Sequence, residues 1–329
     1  MSWVIRVTKR AAVALLDVFH WVIGTLRLAR NYVRKTWAGA DPCAGSAHEA
    51  VYVHYDPRGA IHDYVIVQLR ELAAAQFRVT FVSNARKFPP GNVAEIAPYC
   101  RQIIWRRNVG YDFGGYKDGI RAIGSLARVD RLLLMNDSVY GPFYPLSEVL
   151  AKAQEAQSDV WGITDSWEIH YHVQSYFMLF TKGALSLRAF GDFWRRFPYV
   201  NRKKWVIKYG EVKLTQVLTQ RKLRAKVLSP YYDVAKAVLA KLESGGRELA
   251  PEHKAFLDDI HAKLVRGWPM NPAHYFWETL VSDFRCPFLK REVITLNPLS
   301  TPFKWRWADV IGRNSTYDVT LIQRHLQAN

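Results

Sequence analysis

The chain has 329 residues, of which 49% are hydrophobic, enough apolar surface for one large domain with a smaller appendage; this sets intrinsic disorder aside. A formal charge of +17 and a pI near 9.8 attract it to something anionic, whether nucleic acid, acidic lipid or a phosphorylated substrate. Cys43, Cys100 and Cys286 stand far apart without C-x-x-C spacing, which excludes a disulfide framework and a cysteine zinc site and fits a reducing, cytoplasmic setting.

From Ser2 to Trp37 the sequence repeats at a helical period. Arg6, Lys9, Arg10, Asp17, His20, Arg27, Arg30 and Arg34 fall on one face, and Val4, Val7, Leu15, Val18, Val22, Leu26 and Val33 on the other. The longest apolar run, Ala11 to Leu26, is interrupted by Asp17 and His20 and falls short of the roughly 20 apolar residues of a spanning helix. The expectation is a helix lying in the interface of an anionic membrane, each nearby basic charge contributing about 1 kcal/mol. A cleaved signal peptide is the rival reading, with Ala38-Gly39-Ala40 as its site, but basic residues between the apolar run and that site argue against it. A core or partner-binding helix with a solvated basic face is the third.

Residues 38–47 are small and polar and read as a linker. Apolar runs at 51–55, 78–83, 102–105, 131–135 and 159–163 then read as strands, and 62–76, 115–126 and 146–157 as helices. That alternation predicts an α/β fold with a mostly parallel sheet covered on both faces. A strand at 171–180 and helices at 187–197 and 211–220 follow. Beyond Asp233 the chain becomes charged and helix-prone, with a break at Ser244-Gly245-Gly246 and a further helix around 274–284. The implied division is a leader and linker over 1–45, a catalytic domain over 46–233 and a C-terminal helical subdomain over 234–329.

Ligands of open α/β sheets bind beyond the carboxyl ends of the strands. Here those ends are polar: His54-Tyr55-Asp56, Ser83-Asn84, Arg106-Arg107-Asn108, Asn136-Asp137-Ser138 and Thr164-Asp165. In the stretch from Arg107 to Lys117 the glycines allow the backbone to approach a ligand, basic residues can pair with phosphate and a helix follows; it lacks the G-K-[ST] ending of a Walker loop. Asp137 after a buried strand can hold Mg²⁺ or Mn²⁺ against a diphosphate, or the motif can be a simple Asx-turn. His170, His172, Gln174 and Tyr176 alternate, so one strand would set them on one face, where contact with sugar hydroxyls is a better use than zinc.

Taken in order, N-V-G-Y-D-F-G-G-Y-K-D-G from Asn108, L-L-M-N-D-S-V-Y-G-P from Leu133, D-V-W-G-I-T from Asp159, H-V-Q-S-Y-F from His172 and Y-G-E-V-K-L-T from Tyr209 resemble the rhamnan synthesis protein F family of bacterial polysaccharide glycosyltransferases. N-P-A-H-Y-F-W from Asn271 and P-F-L-K-R-E from Pro287 extend the resemblance to about Asn297, while the leader is outside it. It implies a GT-A-like fold and transfer of a sugar, often rhamnose, from a nucleoside diphosphate donor to a lipopolysaccharide O-chain or wall rhamnan. Where many GT-A enzymes carry D-x-D this chain has Asn136-Asp137, so Arg106, Arg107 and Lys117 are alternatives to a metal for neutralising the leaving diphosphate.

Sugar transfer needs a base for the acceptor hydroxyl and stabilisation of the departing diphosphate. Glu211 is the first candidate base, at the start of a helix as in inverting GT-A enzymes, and Asp165 the second; a helix-start acid that merely offsets the macrodipole is the bland reading of Glu211. Asp56 and Asn84 are assigned to the nucleoside, Arg107, Asn108, Asp112 and Lys117 with Asn136 and Asp137 to the donor and its diphosphate, and His170, His172, Gln174 and Tyr176 to sugar or acceptor. The expected partners are a nucleotide sugar, a lipid-linked or polysaccharide acceptor and the inner membrane surface. The alternatives from other classes are a non-catalytic membrane scaffold and a basic nucleic-acid-binding protein; no helix-turn-helix, zinc-finger or RRM signature appears, and no nucleic acid is expected.

Overall fold

The computed structural model describes residues 2–244, 251–302 and 304–328, without the side chains of residues 2–11 and 251–252. Thus the side chains of Arg6, Lys9 and Arg10 of the expected basic face, and the break at Gly245-Gly246, lie outside what is described.

Helix α1 (Ser2–Leu26) stops eleven residues short of Trp37, where the helical period was expected to end, and a 3-10 turn (Arg27–Ala29) leads into strand β1 (Val33–Ala38). The helical period had run through β1 because Val33 falls one heptad after Leu26. The β-branched Val33 and Thr36 with Trp37 instead favour an extended edge strand, antiparallel to β4 (Cys100–Arg106), and Arg34 covers the Trp105 ring at 4.7 Å. The expected linker is likewise tied down. Gly39, Ala40 and Asp41 donate to the carbonyls of Arg101, Ala97 and Cys100, and Asp41 pairs with Arg78.

The rest of the sheet comprises β2 (His48–His54), β3 (Arg78–Ser83), β5 (Arg131–Asn136), β7 (Val160–Ser166), β9 (Phe177–Thr181) and β10 (Ala225–Ser229), in the order β1-β4-β3-β2-β5-β9-β7-β10, with a short β8 (His172–Val173) beside β7. The segment β4-β3-β2-β5 is parallel, β9 runs antiparallel between β5 and β7, and β10 is parallel to β7. Sequence alternation sorts the two faces. Tyr52, Phe81 and Leu133 point into one apolar cluster, and Val51, Val53 and Leu134 into the other.

Helices α2 (Asp63–Ala74), α3 (Pro90–Ile96), α4 (Tyr111–Ile123) and α5 (Leu146–Glu155) connect the strands. On α4 the glycines serve packing. A Cβ on Gly115 would stand 2.8 Å from Val53 and one on Gly119 2.3 Å from Val51, so these two positions let the helix press against β2. After β9 come α6 (Lys182–Leu185), α7 (Arg188–Arg196), α8 (Lys203–Val206), a π-helical turn (Ile207–Val212) and α9 (Lys213–Thr219).

Helices α10 (Tyr231–Glu243) to α16 (Thr320–Ala328) form the C-terminal part, with α11 at Pro251–Val265, α12 at Pro272–Tyr275, α13 at Trp277–Ser282, α14 at Arg291–Thr295 and α15 at Trp307–Asn314. They are not a detached appendage. Strand β11 (Leu289–Lys290) pairs antiparallel with β6 (Val139–Tyr140), just past the end of β5, setting Lys290 opposite Val139.

Candidate active site

The carboxyl end of β5 is the centre of the site. Asn136 donates to the Asp112 carboxylate at 3.1 Å while its own oxygen takes the Ser138 N–H at 3.1 Å, an Asx-turn that throws Asp137 outward from the strand. Asp137 accepts the Tyr55 N–H at 3.2 Å and lies 3.5 Å from the Arg291 guanidinium. Burial, then the Asp137 charge, push the Asp112 carboxyl up to about 6.

The β6–β11 pairing delivers two cations to this acidic corner. Lys290 donates to Ser138 Oγ at 3.0 Å and stands 4.4 Å from the centre of the Tyr176 ring; burial pulls its pKa below the ordinary lysine value although Glu211, Glu292 and Asp112 oppose this. Arg291 donates to the Tyr64 hydroxyl at 2.5 Å; burial lowers its pKa, but Asp137 together with Tyr64, Tyr140 and Tyr52 outweighs this and raises it. His274 stands close by, its Nε2 buried without a partner among the described residues, and burial with the Lys290 charge holds it down to about 4, a neutral ring at pH 7.

Glu211 faces the same corner from another side. It lies inside a continuous helical run from Lys203 to Thr219, at the π turn, and not at a helix start; the macrodipole reading therefore fails. The extra residue of the π turn lets the Glu211 carboxylate accept the Ser175 N–H at 2.5 Å. Gly210 makes room for the Phe113 ring, which a Cβ would approach to 2.9 Å.

Several other expected residues are used internally. Lys117 leaves the cleft, donating to the carbonyls of Arg195 at 2.9 Å and Phe197 at 2.6 Å, because it points from the second turn of α4 toward the end of α7; its pKa falls to about 8 by burial. Arg106, with no exposed surface, pairs with Asp118 at 2.6 Å and with Asn84 at 2.6 Å, and Asn84 donates onward to the Tyr111 carbonyl. Each polar side-chain atom of Asn84 and Arg106 thus has a partner inside the protein, whereas Arg107 and Asn108 are exposed beside them. Asp56 accepts the N–H groups of Arg58 and Ala60 and faces His62; burial raises its pKa, but these bonds outweigh it and hold the carboxyl well below its usual range.

The histidine stretch does not share one strand face. Strand β8 covers His172 and Val173 alone, leaving His170 exposed in the preceding loop with its carbonyl 2.8 Å from His172 Nδ1. Gln174 and Tyr176 are both bonded to Thr164 Oγ1, at 2.6 and 2.7 Å, and Gln174 also donates to Asn271 at 3.2 Å. They brace the wall behind the site. Asp165 accepts the Tyr231 N–H at 2.6 Å, and burial raises its pKa.

Lys290, Arg291 and His274 were not singled out from the sequence. Their motifs were visible, but a two-residue strand far along the chain carries no periodic signal that would move them from a helical appendage into the cleft.

The parallel core, its antiparallel insertion at β9 and the polar cluster at the carboxyl edge define an α/β protein whose ligand site lies beyond the ends of a mostly parallel sheet. The profile described as rhamnan synthesis protein F matches residues 79–242. Among relatives, the chain is 36% identical over 176 residues to the uncharacterized protein y4gN of Sinorhizobium fredii, covering 52% of this chain and 45% of that one. It is 30% identical over 232 residues to the virulence protein VirA of Vibrio anguillarum, covering 67% and 71%. The chain belongs to the rhamnan synthesis protein F family. It spans under half the length of y4gN.

Solved structures with some likeness include Staphylococcus aureus TarS 1–349 (13% identity, 86% of this chain and 92% of that one, TM-score 0.35). The galactosyltransferase LgtC with donor and acceptor sugar analogues (12%, 84% and 99%, TM-score 0.37) is another. A third is the mannosyltransferase PcManGT of Pyrobaculum calidifontis with GDP-Man and Mn²⁺ (9%, 98% and 94%, TM-score 0.33). At such scores the likeness carries no argument.

Proposed function

We propose that the protein is a glycosyltransferase that moves a sugar, rhamnose as its family name suggests, from a nucleoside diphosphate to a hydroxyl of a bacterial surface glycan such as an O-chain or rhamnan. The observation that carries this reading is the convergence of Lys290 and Arg291 on Asn136-Asp137-Ser138, with Glu211 facing the same corner. A partly dry corner with two cations suits a diphosphate, whose charge grows as the bond to the sugar breaks. In the inverting course, Glu211 takes the proton of the acceptor hydroxyl, that oxygen bonds to the anomeric carbon, and the bond from this carbon to the diphosphate breaks. The diphosphate departs against Lys290 and Arg291. Both acids accept a backbone N–H, and Glu211 is preferred because it is half-buried and faces the cation corner, whereas Asp165 is buried.

The donor set fits a divalent cation poorly. Among the described residues no three His, Cys, Asp or Glu side chains come together, and Asp137 already faces Arg291. Positive charge in the mechanism is therefore assigned to the two side chains.

The enzyme works at the cytoplasmic face of the inner membrane, docked through α1. The segment Ala12–Ala29 is long and apolar enough to cross a membrane by length and composition, more so than the run from Ala11 to Leu26 had suggested. It is nonetheless pinned lengthwise to the domain: Asp17 bonds Lys208 and Tyr209 at 3.0 and 3.1 Å, and the Gly24 carbonyl accepts from Tyr199. Leu15, Val18 and Leu26 face outward at 71%, 58% and 71% exposure, the surface a bilayer would cover.

The test is donor hydrolysis by the purified full chain across a panel of nucleotide sugars, with Glu211→Gln alongside. Turnover of one donor that the variant loses supports the reading. Turnover of none overturns it.

A further inference from the structure

On the side of α4 away from the cleft lies a cavity of about 690 Å³ between α4, α7 and the turn after α1. Its volume is that of a small-molecule site. Two chemistries meet in it. Leu28, Leu126 and Leu187 give it an apolar wall, and Lys117, Arg121, Arg188 and Arg195 are set against a single acid, Asp192. Asp192 is shared by Arg188 and Arg195, and Lys117 is held by two carbonyls, which leaves Arg121 with no ion pair among the described residues. Trp194 lines the same cavity, 3% exposed, and its indole N–H is buried without a partner among the described residues. A buried donor left unmade costs stability unless a ligand or water meets it. Leu28, two residues beyond the end of α1, lines the cavity, so its apolar wall adjoins the helix whose last residue, Leu26, is 71% exposed.

We infer that this cavity binds one anionic membrane lipid. Its phosphate is received by Arg121 and Arg188 and the start of its acyl chain by the leucine wall. Charge complementarity and continuity with α1 select a lipid over a free anion, for which the apolar wall has no use. The site is separate from the diphosphate corner, and binding needs no sugar transfer.

The experiment uses the full chain and a short-chain phosphatidylglycerol below its micelle concentration, read by calorimetry with no donor present. Phosphatidylcholine of equal chain length and inorganic phosphate are the comparison ligands. The expected result is saturable one-to-one binding of phosphatidylglycerol alone, weakened at least about tenfold by Arg121→Glu with Arg188→Glu and also reduced by Arg121→Ala. Leu15→Asp with Val18→Asp, which alters the exposed face of α1 away from Leu28, should leave this binding intact while lowering attachment to vesicles. The inference is overturned if phosphatidylglycerol does not bind, if phosphate binds as well as the lipid does, or if correctly folded Arg121 and Arg188 variants bind it as the unaltered chain does.

Discussion

Lys290 and Ser138 are 152 residues apart in the chain, yet Lys290 Nζ donates to Ser138 Oγ at 3.0 Å. The bond closes one end of the sheet with a cation that arrives from the C-terminal part. If that cation receives the donor diphosphate, Lys290→Met should lower turnover about a hundredfold, the scale on which losing one preorganised donor acts, with the thermal midpoint little changed. Donor kinetics together with a melting curve check this.

The same residue sets a pH limit. Burial lowers the Lys290 pKa, so donor affinity should decline as pH rises through a value below the ordinary lysine 10.5. Lys290→Arg, which keeps its proton throughout, should move that decline to higher pH. A pH series of donor KM distinguishes the two.

Asp112 ties stability to pH in a lower range. Its carboxyl titrates near 6 in the folded chain against 3.8 for a free side chain, so the native state binds more protons between these values and stability falls as pH rises from about 4 to 6. Two pK units correspond to roughly 3 kcal/mol at most. Asp112→Asn should remove this slope from denaturant unfolding measured across that range.

Arg106 belongs to the core and not to the diphosphate corner. Arg106→Met leaves Asp118 buried without its partner and should cost about 3–5 kcal/mol, with turnover per folded molecule preserved. Arg106→Met combined with Asp118→Leu should recover part of that loss in the same unfolding assay.

The outward face of α1 gives a fifth expectation. Leu15→Asp with Leu26→Asp should weaken attachment to anionic vesicles about a hundredfold, since each leucine buried in lipid is worth about 1.5–3 kcal/mol. Co-sedimentation with vesicles reads it, and Asp17, which faces the protein, is left untouched.

Much of this architecture could be read along the chain. Strand β3 falls on the expected 78–83, and β2, β4, β5 and β7 fall within a few residues of their apolar runs, because buried parallel strands are short continuous hydrophobic segments bounded by polar turns. Asn136, Asp137 and Asp112 could be picked out for a related reason, since they follow such strands, whereas Glu211 reads in sequence as a helix-start acid and lies inside a helical run. What could not be read has physical causes. In β1 the valine and tryptophan spacing also suits a helix, β10 is short with Lys226 exposed, and β6 and β11 are two residues each. The fate of a basic side chain was equally hidden. Arg106, Lys117 and Lys290 look alike in sequence, and only the tertiary packing sends the first into the core, the second to the carbonyls at the end of α7 and the third to Ser138.

The most direct measurement is calorimetric titration of nucleoside diphosphates into the full chain and into Lys290→Met. The account predicts that at least one nucleoside diphosphate binds and that the variant binds it about tenfold or more weakly, as expected when one charge-assisted contact is lost. Binding of none, or equal binding by both proteins, would contradict it.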